Sequence, residues 1–142
     1  MADTIYHNFF AEIMSGTLDL HGAGSNAIKV ALFTDSYSID PDEVTYANTN
    51  EHATSGNYTQ GGVTLTAANS TVADDDANNR ATWDNTDDPT WSAATITAAF
   101  AKLYNSTVSD KLICVFDFSG NKSSTAGTYK ITFNASGILA IA

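Results

Sequence analysis

The chain reads as a mainly β protein, an antiparallel β-sandwich or jelly-roll-like barrel with one short N-terminal helix. Three observations predict this. Thr, Asn, Ala and Ser are abundant while Lys and Arg together number six, a composition that disfavours a helical bundle and suits a pleated surface. About eight apolar or alternating stretches follow one another at short spacing, separated by Gly, Pro, Asn and Asp. There is no strand–helix–strand alternation of the kind that builds a doubly wound sheet or a (β/α)-barrel. The 142 residues suit one domain, able to bury roughly two thirds of its unfolded surface without a disulfide or metal staple. The expected division is a helical segment, 1–20, followed by a single β-sandwich domain, 21–142.

The helix is predicted over residues 3–18, "DTIYHNFFAEIMSGTL". Ile5, Phe9, Ile13 and, one step round, Phe10 share a face at helical spacing. Asp3 or Thr4 can cap its start and Gly16 can end it. After the loop "HGAGSN", residues 27–34, "AIKVALFT", read as a strand with Ile28, Val30 and Leu32 on one face. Residues 42–57 are polar and weakly patterned and read as a long surface excursion. "GVTLTAANSTV" is the next strand region, with Val63 and Leu65 alternating against Thr64 and Thr66.

Residues 73–91, "ADDDANNRATWDNTDDPTW", read as an acidic loop with a short strand at "RATWD" and a turn closed by Pro89. The alanines of "SAATITAAFAKLYN", 92–105, tempt a helix. Their spacing fits one poorly, and Thr95, Thr97 and Tyr104 favour extended chain, so a strand is predicted. "KLICVFDFSG", 111–120, is a strand buried on both faces in its first half. "GTYKITFN" and "SGILAIA" are expected to form a C-terminal hairpin about a turn at 134–137.

The formal net charge is −10, which repels phosphate backbones and argues against nucleic acid as a partner. No apolar run approaches the ~20 residues that cross a bilayer. "MADTIYHNFF" lacks a basic leader region, so a chain made in a cytoplasm and kept soluble is expected, without membrane contact. On that expectation the five Asn-x-Ser/Thr sequons, at Asn57, Asn69, Asn105, Asn121 and Asn134, reflect Asn and Thr abundance more than glycan sites. The single cysteine, Cys114, lies in an apolar run and reads as a buried, inert thiol.

The acidic run places Asp74, Asp76 and Asn78 at the first, third and fifth positions of an EF-hand-like loop. The match ends there. Asn79 stands where a glycine is needed and Asn85 where the bidentate glutamate belongs. A weak surface Ca²⁺ or Mg²⁺ site from Asp74, Asp76 or Asp84, with Asp87 and Asp88 nearby, remains the only metal candidate, set against a solvated loop that blunts sheet edges. Histidines 7, 21 and 52 are dispersed and lack helical zinc spacing. No nucleophile elbow or distinguished carboxylate pair marks a catalytic centre, so the expectation is a non-enzyme with no cofactor.

Trp83 and Trp91 flank the acidic run, and Tyr37, Tyr46 and Tyr58 are placed in loops. Such residues beside amides and carboxylates can form a sugar-stacking platform, and they can equally be core or interface. In "SGNYTQGGVTLT", 55–66, the paired glycines open a strand and not a helix, amid acidic residues, so phosphate binding is rejected. Instead, positive φ or a bulge is expected at Gly61 or Gly62, with Tyr58 anchoring the turn before them.

Five blocks in order resemble a widespread family of small tailed-bacteriophage virion proteins: "YHNFFAEIMSGTLDL", "IKVALFTDSYSIDPD", "SGNYTQGGVTL", "DDPTWSAATITAAFAKLYN" and "LICVFDFSGNKSSTAGTYKITFNASGILAI". Together they span nearly the whole chain. The resemblance implies a non-catalytic structural component of the particle, most simply a capsid decoration (cement) protein on the outer head surface. Its partner would be the major capsid protein, and its own assembly a symmetric oligomer such as a trimer at capsid three-fold positions. The alternatives are a tail or fibre-associated module and a carbohydrate-binding surface module. The expected assembly contacts are Tyr6, Phe9, Phe10, Ile13, Trp83 and Trp91.

Overall fold

The computed structural model describes residues 3–142. Eight strands form two antiparallel sheets in a sandwich-like arrangement that does not close into a barrel. The large sheet contains β1 (Thr4–Ile5), β2 (Ile28–Phe33), β3 (Val63–Thr64), β6 (Thr90–Asn105) and β7 (Lys111–Lys130), in the order β1-β7-β6-β2-β3. The small sheet contains β4 (Ser70–Asp75), β5 (Arg80–Asn85) and β8 (Leu139–Ile141), in that order. One helix, α1 (His7–Ser15), packs against β7.

The helix is shorter than its periodicity suggests. Thr4 and Ile5 pair with Val115 and Cys114 on the edge of β7, and the backbone amide of Tyr6 donates to the Ile113 carbonyl at 3.0 Å. An available sheet edge satisfies backbone groups that a first helical turn would leave open. Neither Asp3 nor Thr4 caps the helix, because Tyr6 stands in extended geometry at the cap position. Gly16 ends it as expected, in the left-handed region at φ 71°. The N-terminal segment is therefore joined to the β-domain by a strand as well as by a helix.

The strand β2 is buried on both faces. Ile28, Val30 and Leu32 enter the layer between the sheets, while Ala31 and Phe33 enter a second apolar layer on the opposite side. The inner layer also takes Leu103, Ile113, Trp83, Leu139 and Phe9. The outer layer contains Tyr6, Tyr37, Tyr104, Leu112 and Val115, with Tyr46 and Ile39 packed against it. It lies under the excursion that runs from residue 34 toward β3.

Buried polar groups pin that excursion. Lys102, 1% exposed, points into the outer layer and donates to both carboxylate oxygens of Glu43 at 2.8 and 2.9 Å. Its ammonium sits 4.4 Å from the centre of the Phe33 ring and 3.9 Å from that of Tyr37, so cation–π attraction adds to the ion pair. Glu51, also buried, accepts from the hydroxyls of Tyr58 (2.6 Å) and Tyr46 and from the backbone amide of Gly61 (2.7 Å).

Two sequence expectations are corrected here. The acidic run is a β-hairpin, β4 and β5 joined by a short 3₁₀ turn at Asp76–Asn78, with Asn79 at φ 50°. Pairing with β5 supplies ladder bonds that outweigh the low strand propensity of Asp. The C-terminal hairpin does not form. Residues 127–130 continue β7, and β8 pairs with β5 through Ala81↔Ile141 and Trp83↔Leu139. The turn at 134–137 is present, closed by the Gly137 amide on the Asn134 carbonyl at 2.9 Å, but it carries the chain across to the other sheet.

Candidate functional site

An apolar groove of about 560 Å³ runs between α1, residues 18–21 and the small sheet. Its origin is local. Phe9 and Ile13, one helical turn apart, point toward the small sheet; Phe9 is buried, while Ile13 at the next turn is 39% exposed. Opposite them, Val72 and Trp83 are cross-strand partners on the inner face of the hairpin, and Leu139 and Ile141 of β8 extend that wall. Trp83 forms the base, 3% exposed, its indole N–H donating to the Leu20 carbonyl at 3.1 Å. Val72 and Ile141 remain 49% and 36% exposed, with Phe10 and Met14 exposed on the flank of α1.

Three of the six expected contact residues, Phe9, Ile13 and Trp83, meet in this groove. Phe10 lies beside it, its ring edge-on to Phe9 at 5.6 Å. Tyr6 and Trp91 are elsewhere. Tyr6 lies in the outer layer, its hydroxyl 2.9 Å from that of Tyr37, and burial drives its phenol well above the usual range. Trp91 is buried against Tyr58 and Tyr129. Val72 and Ile141 line the groove, and the sequence reading missed them. The alternation Val72–Asp74 opposite Ala81–Trp83 was the available signal, hidden by reading the acidic run as a loop.

The metal candidates are not brought together. Asp74 lies on the same face of the hairpin as Val72, and Asp84 on the other, across from Thr71. Asp76 is in the turn between them. Asp75, next to two of the candidates, is occupied by protein partners. Its carboxylate accepts from the Asn78 amide and, at 2.7 Å, from Arg80, and these bonds hold its pKa below the usual carboxylate value. Among the described residues, no group of three His, Cys, Asp or Glu side chains is placed to hold a metal ion.

The aromatic set offered as a sugar platform is mostly core. Trp83, Trp91, Tyr37 and Tyr58 are buried, and Tyr46 stacks on Tyr104 with ring centres 4.2 Å apart. Cys114 is buried as expected, and desolvation pushes its thiol up and out of the reactive range. His7 pairs with Asp42 at 2.7 Å at the surface, His21 lines the groove, and His52 meets the Tyr58 ring edge-on.

The paired glycines take positive φ, 93° at Gly61 and 69° at Gly62, and Tyr58 anchors the preceding turn through hydrogen bonds to Glu51 and to the Leu32 amide. A Cβ at residue 62 would lie 1.8 Å from the Val30 carbonyl oxygen, so the glycine is required for close approach of two strands. The loop's amide is directed at the Glu51 carboxylate, an arrangement that repels an anionic ligand. Neither family models nor curated proteins nor solved structures match the chain.

Proposed function

We propose that this chain is a non-catalytic structural protein of a bacteriophage virion, a decoration protein that docks on the head shell and stabilises it. The observation that carries the reading is the groove, among whose lining residues Ile13, Val72 and Ile141 stay exposed. On a chain with net charge −10, a contiguous apolar surface is the feature that calls for a partner. The rest of the molecule suits a rigid clamp. Its aromatics are spent on two packed layers, and its long excursion is pinned by buried polar groups. The ordered blocks resembling virion proteins supply the partner class, the major capsid protein. Placement at repeated shell positions lets modest individual contacts sum, and three-fold positions favour a trimer.

The test is a phage carrying a deletion of this gene. Particles are expected to assemble and then to lose DNA at lower temperature or on dilution, with added protein restoring resistance. Unchanged particles overturn the proposal, and microscopy that places the chain on the tail moves it to a tail-associated role.

A further inference from the structure

Charge around the groove narrows its occupant. The base and walls are apolar; Asp19 is the one carboxylate that lines the groove, beside His21, and Asp74 follows Val72 along the same face of β4. None of the six Lys and Arg residues lines it. Arg80 is on the opposite face of the hairpin, paired with Asp75, and Lys102 is buried. Lys29 lies near Gly61, and Lys111, Lys122 and Lys130 belong to β7. The opening has room for one or two large aliphatic or aromatic side chains.

We infer that the groove receives an apolar side chain presented on a lysine- or arginine-rimmed segment of another protein, and that it is not an interface between copies of this chain. The inference deepens the docking proposal and rests on it for the reading of this face as a contact. Two copies joined here would bring the Asp19 carboxylates together on molecules already at −10, a juxtaposition that costs affinity and slows encounter. A basic rim reverses both effects. The apolar contact then supplies the hold and the charges supply orientation and on-rate.

The experiment uses the full chain and three synthetic dodecamers: one with leucines flanked by lysines, one with the same leucines flanked by glutamates, and one with lysines and serines only. Calorimetry and methyl NMR read binding. The leucine–lysine peptide is expected to bind about tenfold or more tightly than either control, to shift the methyl signals of Ile13, Val72 and Ile141, and to weaken as salt rises toward about 0.3 M. Ile13→Asp and Val72→Asp change exposed positions and add negative charge. Purely electrostatic attachment would strengthen in these variants, whereas seating in the groove weakens about tenfold. Asp19→Asn weakens binding by a smaller factor while leaving the methyl shifts in place. Several results overturn the inference: no binding, equal binding of the two leucine peptides, binding indifferent to both aspartate variants, or a wild-type dimer that Ile13→Asp dissociates. A protein that passes these tests but is absent from the virion overturns the proposed function and leaves the groove assignment standing.

Discussion

Replacing Gly62 by alanine isolates the physical reason for the paired glycines. Two costs arise at that position. The first is conformational: an L side chain at φ 69° costs about 1–2 kcal/mol. The second is steric, since the new Cβ would lie 1.8 Å from the Val30 oxygen, 2.5 Å from its carbonyl carbon and 2.7 Å from the Ala31 Cα. All three are backbone atoms, so no side chain can swing aside, and β3 must separate from β2. The pairs Lys29↔Thr64 and Val30↔Val63 are then lost, along with the bond from the Leu65 amide to the Ile28 carbonyl and part of the burial of Leu65. At about 1 kcal/mol per hydrogen bond and about 2 for the leucine, the total destabilisation is about 4 kcal/mol or more. Gly22 has the same φ, 69°, with nothing within 4 Å of its virtual Cβ, so Gly22→Ala carries the conformational cost alone. Gly61→Ala, at φ 93° with its nearest neighbours at 3.6 and 3.7 Å, behaves like Gly22→Ala. Urea unfolding measures the differences, and thermal scans should show drops of about 3–6 °C for residues 22 and 61 against 12 °C or more for residue 62. Equal losses at 22 and 62 would refute the close-approach argument.

Removing Glu43 leaves Lys102 charged beneath the excursion, so Glu43→Ala should cost about 2–3 kcal/mol by denaturant unfolding. That is toward the low end for a broken buried pair, since the Glu43 side chain is 27% exposed. Lys102→Met in the Glu43→Ala background should recover part of the loss, because an apolar chain of similar length restores the packing. All six tyrosines have phenol pKa values raised by burial, with Tyr37 and Tyr129 pushed up to about 12. Their contribution to stability is complete below the unfolded value near pH 10 and is lost as pH rises through the folded values, on the order of 2–3 kcal/mol for Tyr129 alone by pH 12. Lys102 has its pKa lowered by burial and opposes this over part of the same range, but it is one group against six. Absorbance at 295 nm should therefore show delayed, cooperative phenolate formation coincident with unfolding; independent titration of several tyrosines near pH 10 would contradict the burial. Millimolar Ca²⁺ should leave the melting temperature unchanged, because Asp74 and Asp84 lie on opposite faces of one hairpin.

Fold class was legible because it depends on composition and on local alternation, both of which the chain states strongly. The strand from residue 92 to 105 was correctly separated from helix, since Thr95, Thr97 and Tyr104 outweigh the alanines, and Gly16 marked the helix end. Pairing partners were less legible. The sequence shows Leu139 and Ile141 as strand residues beside a turn, and the nearest strand in sequence is the default partner. Only the three-dimensional position of Trp83 makes β5 the better one, because Leu139 completes the inner layer over that indole. The same limit hid half of the groove. Phe9 and Ile13 announce themselves by helical spacing, whereas Val72 counts as apolar surface only once Asp74, Asp75 and Arg80 are known to lie in paired strands.

The excursion from residue 34 to 62 shows why a polar, weakly patterned segment can still be essential structure. It covers a sheet face that carries Phe33, Tyr104, Leu112 and Val115, so a lid is obligatory, yet it contributes few aliphatic side chains. Its attachment depends instead on two carboxylates, one half-buried and one buried. Glu43 meets Lys102, which the sheet projects outward from between Ala101 and Leu103, and Glu51 meets two tyrosine hydroxyls and the amide of Gly61. Each anchor joins residues far apart in sequence, and neither has a periodic signature. A lysine in the middle of an apolar strand is the one hint: such a residue must be paired or reach water, and with both faces of β6 covered only pairing remains. Lys102 therefore marks, within the sequence itself, the strand whose outer face needs a carboxylate-bearing cover. The same pairing explains why the paired glycines belong to this cover: they bring its end against β2 closely enough for Glu51 to accept the Gly61 amide.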